Sequence, residues 1–249
     1  FLKDIQVQRI LARPDMPAEE MHELIHRRVR IEKIAIKDVK MRTFITEDAS
    51  RNEMVQHVYD ITYGTVERGV DTLVVIDDSI VRGTTLKESI IKMLNRLGPK
   101  RIIIVSSAPQ IRYPDCYGID MSRMGDFIAF QAAVSLLADG GRESLLQDIY
   151  QKCKEADAAG TLHTENFVKA VYESFTDQQI SNKIARMLRH EEVQAEVDVI
   201  YQSLEGLHKA CPDNKGDWYF TGNYPTPGGN KVANRAFMKY MEKQEGRGY

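Results

Sequence analysis

The stretch from Val74 to Thr85 constrains the fold of this chain more than any other. An apolar, β-branched run from Leu73 to Ile76 is typical of a buried strand in a parallel sheet. The run ends abruptly at two carboxylates, Asp77 and Asp78. Because open α/β sheets bind ligands at the carboxyl ends of their strands, we expect these two side chains to lie at a ligand site.

A turn of small hydroxyl-bearing residues follows the two carboxylates. It contains Gly83, where the main chain can approach a ligand closely, and it leads into a helix predicted from about Thr85 to Leu97. Main-chain N–H groups at a helix N-terminus, joined by Ser and Thr hydroxyls, form an anion site that commonly holds phosphate. Asp77 and Asp78 would repel a phosphate, so we expect them to face hydroxyl groups or a divalent metal ion. A sugar phosphate satisfies both halves of the pattern.

An isolated Asp-Asp pair would be explained better by a plain strand, turn and helix with a capping serine. The longer string Asp-Asp-Ser-Ile-Val-Arg-Gly-Thr-Thr, from Asp77 to Thr85, is more specific. It resembles the 5-phosphoribosyl-1-pyrophosphate (PRPP) motif of the type I phosphoribosyltransferases, and most closely that of the amidophosphoribosyltransferases, or glutamine PRPP amidotransferases. The resemblance implies an α/β fold with a parallel sheet, here incomplete at its N-terminal side and joined to an added helical region.

The resemblance also implies a role for each part of this motif. Asp77 and Asp78 are expected to hold the 2′- and 3′-hydroxyls of the ribose and to help position Mg²⁺. The following loop is expected to bind the 5′-phosphate through its N–H groups and hydroxyls. The expected PRPP-binding residues are Asp77, Asp78, Ser79, Ile80, Val81, Arg82, Gly83, Thr84 and Thr85.

Other strings resemble the same family, and together they extend the resemblance to about residues 34–138 and 200–225. Arg42-Thr43-Phe44-Ile45 closes an alternating segment that we predict to be a strand from Ile34 to Ile45. The remaining strings run from Ala108 to Pro114, from Tyr117 to Met121 and from Phe220 to Pro225.

Residues 46–65 depart from the family pattern. In the family this segment is a basic loop that folds over PRPP, where cations stabilise the departing pyrophosphate. Here it contains one Arg, no Lys and several acidic residues. The candidate cations near the leaving group are therefore Arg42, Arg51 and His57, and Arg42 is the expected catalytic residue.

The activity implied by the resemblance is formation of 5-phosphoribosylamine from PRPP and glutamine-derived ammonia, with release of pyrophosphate, the first step of de novo purine synthesis. An upstream glutaminase domain, purine nucleotides as candidate inhibitors, and a homo-oligomer are implied with it. Residue 1 is Phe, where the glutaminase nucleophile would be Cys, and residues before Ile34 contain no recognisable pyrophosphate-binding loop. We therefore expect a C-terminal portion that is inactive alone.

Two alternatives remain open at this point. A catalytically weak or silent regulator that binds PRPP or a nucleotide is favoured by the acidic character of residues 46–65. A phosphoribosyltransferase acting on a nucleobase or orotate is the other alternative, and the strings at 42–45 and 220–225 weigh against it.

Composition excludes several other classes of protein. The net charge of −2 does not indicate a nucleic-acid partner. No apolar run approaches the roughly 18 residues of a membrane span, so no membrane partner is expected. The three cysteines, Cys116, Cys153 and Cys211, are odd in number and widely spaced, which indicates reduced thiols and a cytoplasmic protein.

Some amidophosphoribosyltransferases bind an iron-sulfur cluster through cysteine thiolates. At the matching positions this chain has Asp115, Gly216 and Tyr219, with Cys116 one place off. Because such clusters need thiolate ligands, we predict no iron-sulfur cluster.

Four regions are predicted along the chain. They are a helical lead-in at 1–33 with a helix from Ala18 to Arg30, a phosphoribosyltransferase portion at 34–139, a helical insertion at 140–195, and a family-like C-terminal segment at 196–249. Within the second region we predict a strand from Arg101 to Val105 and a helix from Arg123 to Ala138. The insertion is predicted to contain three helices and to serve packing or subunit contact.

Overall fold

The computed structural model describes residues 2–28, 30–32, 34–37, 59–62, 64–116, 121–214 and 216–244, and its strands form two sheets. The smaller sheet is an antiparallel pair. The larger sheet is parallel, and its strands lie side by side in the order Thr72–Asp77, Arg101–Ser106, Glu196–Tyr201. The strands are β1 (Ala35–Lys37), β2 (Tyr59–Ile61), β3 (Thr72–Asp77), β4 (Arg101–Ser106) and β5 (Glu196–Tyr201).

Helices account for most of the remaining described residues. A π-helical turn, Leu86–Ile90, precedes the short α-helix at Ile91–Asn95, and 3-10 turns lie at Met124–Asp126 and Phe167–Val171. The α-helices are α1 (Leu2–Leu11), α2 (Ala18–His26), α3 (Ile91–Asn95), α4 (Ile128–Asp139), α5 (Ser144–Ala158), α6 (Asp177–Leu188), α7 (Leu204–Ala210), α8 (Trp218–Thr221) and α9 (Pro227–Met241).

The parallel sheet buries one face more completely than the other. Side chains of successive strand residues point to opposite faces, and on the inner face Leu73, Ile102 and Ile104 are buried. On the outer face, Val74 and Ile76 of β3 are 60% and 75% exposed. The strand predicted at 73–76 is confirmed, but the expectation that it is buried holds for one face only.

The main core lies between the inner face of the sheet and helices α4, α5, α6 and α9. Phe130 of α4 and Phe237 of α9 are fully buried and meet edge to face, with ring centroids 6.2 Å apart. Burial of a side chain of this size contributes about 1.5–3 kcal/mol. Thr176 caps the N-terminus of α6: its hydroxyl accepts from the main-chain N–H of Gln179, and the Gln179 side chain accepts from the main-chain N–H of Thr176.

The predicted α/β class with a parallel sheet is confirmed. The predicted strand at 101–105 and the helix at 123–138 are present, the latter as a 3-10 turn followed by α4. Of the three helices predicted between 143 and 193, the first and last are α5 and α6, whereas the middle one is a single 3-10 turn.

Two predicted elements differ from the structure in length or extent. The helix predicted from Ala18 to Arg30 ends at His26, because Arg27 has an extended main chain. The described part of the strand predicted from Ile34 to Ile45 is β1, and residues 38–45 lie outside the described residues.

None of the helices in the described residues combines the length and the hydropathy that a membrane span requires.

Candidate functional site

Asp77 is the last residue of β3, and Asp78 follows it at the carboxyl end of the sheet. Asp77 is level with Ser106, the last residue of β4, and Ser106 is level with Tyr201 at the end of β5. The predicted position of the acidic pair at this edge is therefore confirmed. The hydroxyl of Tyr201 is buried at the same edge and has no hydrogen-bond partner among the described residues.

Each of the two carboxylates is oriented by the next main-chain N–H group. The N–H of Asp78 donates to Oδ1 of Asp77 at 3.0 Å, and the N–H of Ser79 donates to Oδ1 of Asp78 at 2.7 Å. Asp77 is half-buried and Asp78 is exposed. Burial raises the pKa of Asp77, the N–H bond from Asp78 lowers it, and the negative charge of Asp78 raises it further.

The loop after the carboxylates is attached to the core by apolar contacts and by one main-chain hydrogen bond. Ile80 is buried, and the carbonyl of Val81 accepts from the N–H of Ile128 at the start of α4. Gly83 has a positive φ of 73°, a conformation that favours glycine. A Cβ at this position would lie 2.5 Å from Cδ1 of Ile128 and 2.9 Å from Cδ2 of Leu188, so the turn packs directly on α4 and α6.

The loop leaves main-chain donors open where it enters the helix. Helical residues begin at Thr84, and the first bond within this turn runs from the N–H of Lys87 to the carbonyl of Gly83. In the part of the chain that the structure describes, the N–H groups of residues 80–85 donate to no carbonyl or side chain. Thr84 is exposed and Thr85 is half-buried. These donors and hydroxyls form an arrangement that can bind a phosphate.

Arg82 points away from the core and pairs with Asp126, with 3.2 Å between Nη2 and Oδ2. Both side chains are at least one-third exposed, so the pair contributes at most about 1 kcal/mol to stability. Its guanidinium is therefore free to exchange partners at low cost.

Sequence comparison identifies relatives of part of this chain, although no family model matches it. The chain is 38% identical over 90 residues to the amidophosphoribosyltransferase of Schizosaccharomyces pombe, and the match covers 34% of this chain and 17% of the relative. It is 43% identical over 79 residues to the Haemophilus influenzae enzyme, covering 31% and 15% of the two chains. Against that of Saccharomyces cerevisiae the identity is 30% over 135 residues, covering 51% and 26%.

The matched part of the chain is similar in sequence to the amidophosphoribosyltransferases. The matched parts span about a quarter or less of the length of these three relatives. Among solved structures, the glutamine PRPP amidotransferase of B. subtilis complexed with ADP and GMP is 26% identical. That match covers 78% of this chain and 32% of the other, with a TM-score of 0.42.

The amidophosphoribosyltransferase-like strings at 108–114 and 220–225, more than 100 residues apart, meet in the structure. The N–H groups of Arg112 and Tyr113 both donate to the carbonyl of Tyr219, at 2.8 and 3.1 Å. The hydroxyl of Tyr224 donates to the carbonyl of Pro114 at 2.6 Å. Gly222 has a positive φ of 70°, and a Cβ there would lie 2.8 Å from the ring of Tyr113. These strings therefore form a packed junction with each other.

Of the three positions that match cysteines in some amidophosphoribosyltransferases, two are joined here by a hydrogen bond between their side chains. The hydroxyl of Tyr219 donates to Oδ1 of Asp115 at 3.1 Å, Gly216 is exposed, and Cys116 is half-buried. The expectation of no iron-sulfur cluster stays a prediction.

The carboxylates of Asp77 and Asp78 are hard oxygen donors of the kind that Mg²⁺ prefers, and Asp78 is accessible to solvent. Among the described residues, no group of three or more His, Cys, Asp or Glu side chains is placed to hold a metal ion. One or two carboxylates, completed by substrate and water ligands, are a common arrangement for Mg²⁺, and the oxygen donors of Asp77 and Asp78 are chemically suited to it.

Two further outcomes concern residues outside the motif. Arg42, Arg51 and His57, the predicted cations, lie outside the described residues, as do residues 117–120. Ser107, which the sequence analysis did not predict, contacts the main chain of both Asp77 and Asp78. The sequence feature that could have indicated this contact is the position of Ser107 directly after β4, the strand that runs parallel to β3.

Proposed function

We propose that this chain is the PRPP-binding portion of an amidophosphoribosyltransferase. The whole enzyme would form 5-phosphoribosylamine from PRPP and glutamine-derived ammonia with release of pyrophosphate, the first step of de novo purine synthesis. The observation that carries the proposal is the pairing of two carboxylates at the carboxyl end of β3 with an open, positive-φ turn at a helix start, in a chain related to these enzymes.

In this proposal Asp77 and Asp78 accept hydrogen bonds from the 2′- and 3′-hydroxyls of the ribose. Their main-chain N–H bonds hold one oxygen of each carboxylate, and the remaining acceptor positions are available to a diol. The exposure of Asp78 gives a ligand access from solvent. Both residues also stand as the proposed ligands of Mg²⁺.

The loop from Ser79 to Thr85 is proposed to bind the 5′-phosphate. The open N–H groups of residues 80–85 and the hydroxyls of Ser79, Thr84 and Thr85 supply the donors. The proposed contributions of Ile80 and Val81 are main-chain only, because their side chains face inward. Arg82 can turn from Asp126 towards the phosphate.

Departure of pyrophosphate builds positive charge on the ribose ring. In this proposal the two carboxylates stabilise that charge, and a bound Mg²⁺ would supply charge neutralisation on the pyrophosphate. Ammonia arrives neutral and nucleophilic, so the site needs no strong general base. Arg42 remains the proposed cation near the leaving group.

The upstream glutaminase domain, inhibitory purine nucleotides, a homo-oligomeric state and a cytoplasmic location are parts of the same proposal. So is the division of the chain at residues 33, 139 and 195. We expect the 249-residue chain to bind PRPP but not to turn it over alone.

The test is isothermal titration calorimetry of Mg-PRPP with the full chain. Replacing both carboxylates, Asp77→Asn with Asp78→Asn, should weaken binding by about 100-fold or more, because hydrogen bonds to charged groups contribute about 1.5–3 kcal/mol each. The matched control is Glu191→Gln with Glu192→Gln, an exposed acidic pair whose replacement changes the net charge equally. Unchanged affinity in the Asp77 and Asp78 variant would contradict the proposed ribose contact.

A PRPP- or nucleotide-binding regulator without catalysis is the second candidate, and the acidic character of residues 46–65 favours it. Pyrophosphate release from PRPP, measured with ammonia supplied and with the polypeptide that naturally contains this chain, distinguishes the two. Release above the uncatalysed rate supports the enzyme, whereas tight binding without release supports the regulator.

A further inference from the structure

Ser107 lies one residue beyond the end of β4 and contacts the start of the proposed PRPP motif. Its main-chain N–H donates to the carbonyl oxygen of Asp77 at 2.9 Å. Its Oγ lies 3.2 Å from the carbonyl oxygen of Asp77 and 3.1 Å from that of Asp78, so one hydroxyl serves both carbonyls. A single exposed serine thus holds two successive peptide groups.

The same two peptide groups also orient the carboxylates, because the N–H on the other side of each peptide donates to one of them. The peptide that carries the Asp77 carbonyl also carries the Asp78 N–H, which donates to Oδ1 of Asp77. The peptide that carries the Asp78 carbonyl also carries the Ser79 N–H, which donates to Oδ1 of Asp78. Because a trans peptide is planar, with its C=O and N–H pointing in opposite directions, fixing the carbonyl also fixes the N–H.

We propose that Ser107 is a positioning residue for the two ribose-binding carboxylates, which it controls through these two peptide planes. The inference rests on the proposed function, since it names what orients the carboxylates of that same site. The hydroxyl of Ser107 bonds to main-chain carbonyls, so its effect on a ligand is transmitted through the main chain of Asp77, Asp78 and Ser79.

The neighbouring serine provides a contrast within the same turn. Ser106 is buried, and its hydroxyl donates to the carbonyl of Ala108 at 2.8 Å, within its own loop. Ser107 is exposed, and its hydroxyl bonds reach across to another strand. Removing the Ser107 hydroxyl leaves its N–H bond to Asp77 in place, so the pairing at the end of β3 and β4 is retained.

The experiment compares two probes that share a phosphate but differ in the ribose. The affinities of ribose 5-phosphate and inorganic phosphate, both with Mg²⁺, are measured by NMR titration for the wild-type chain, Ser107→Ala and Ser107→Thr. We expect Ser107→Ala to bind ribose 5-phosphate roughly two- to tenfold more weakly, the range for loss of one hydrogen bond. Its affinity for inorganic phosphate should stay unchanged, and Ser107→Thr, which keeps a hydroxyl, should restore the affinity for ribose 5-phosphate.

The outcomes separate this inference from the proposed function. If the wild-type chain binds ribose 5-phosphate but Ser107→Ala binds it equally well, Ser107 does not position the carboxylates. Equal losses for both probes would also overturn the inference, because they would indicate a general effect on the phosphate loop or the fold. If the wild-type chain binds neither ribose 5-phosphate nor Mg-PRPP, the proposed function fails, and the inference fails with it.

Discussion

Two polar clusters in this chain satisfy their hydrogen bonds in opposite ways. Asn234 of α9 is fully buried, and its amide bonds to protein groups: Nδ2 donates to the carbonyls of Leu162 and Glu165, and Oδ1 accepts from the N–H of Phe167. Asp77 and Asp78, at the edge of the sheet, each accept one hydrogen bond from a main-chain N–H. Asp77 is otherwise half-buried, and Asp78 is exposed to solvent.

The difference separates polar groups that stabilise the fold from those available to a ligand. Asn234 joins α9 to residues 162–167, because a buried amide needs partners and these carbonyls supply them. Asp77 incurs a cost instead, since burial raises its pKa and disfavours its charged form. Replacing the first type of group should therefore change stability, and replacing the second should change binding.

The largest expected effect is on the buried amide. Asn234→Ala leaves two carbonyls and one N–H, which are buried or partly buried, without this partner, so we expect the free energy of unfolding to fall by about 3–4 kcal/mol. Urea unfolding measures the change. The control is Asn230→Ala on the same helix, which loses a single bond to the carbonyl of His163 and should cost about 1 kcal/mol. Equal costs for the two variants would remove the distinction drawn above.

A smaller effect is expected at Gly83, which lies in the loop of the candidate site but packs on the core. Gly83→Ala should lower the unfolding free energy by about 2–3 kcal/mol, from its positive φ and from the close approach to Ile128 and Leu188. Gly160→Ala is the control, because Gly160 has nearly the same φ, 72°, and a Cβ there would meet no atom within 4 Å. Thermal unfolding of both variants isolates the packing contribution as their difference, and no difference would argue against tight packing at Gly83.

The smallest effect near neutral pH concerns Asp77. Its pKa is raised above the ordinary 3.8, so the carboxylate becomes protonated at a higher pH than an exposed Asp, and Mg-PRPP affinity should fall as pH decreases through that range. The sign for stability is opposite. A raised folded-state pKa favours folding at low pH, and that contribution is lost as pH rises through it.

Calorimetry of Mg-PRPP at a series of pH values measures the loss of affinity, which approaches roughly tenfold per pH unit below the pKa. Asp77→Asn is the reference, because it keeps the pH dependence of the ligand's own phosphates. Identical pH profiles for wild type and variant would exclude a titrating role for Asp77.

Local sequence patterns predict the strand, turn and helix around the motif. They do not predict contacts between residues that are far apart in the sequence. The run at 73–76, the two carboxylates and Gly83 predicted strand, edge and turn because each depends on neighbouring residues. The bonds of Asn234 and Ser107 join segments about 30 to 70 residues apart, and no local pattern specifies them. Strand β5, Glu196–Tyr201, is absent from the predicted elements although its polar and apolar residues alternate. It is only half-buried, and its acidic residues make the segment resemble an exposed loop.

The packing of Gly83 against Ile128 and Leu188 has a thermodynamic consequence for the whole molecule. A ligand that orders this turn acts on the ends of two core helices, so occupancy and global unfolding are linked. Saturation to 100 times the dissociation constant would stabilise the folded state by about 2.7 kcal/mol. A rise in melting temperature on titration is therefore a readout of ligand binding to the folded chain, even where no reaction occurs.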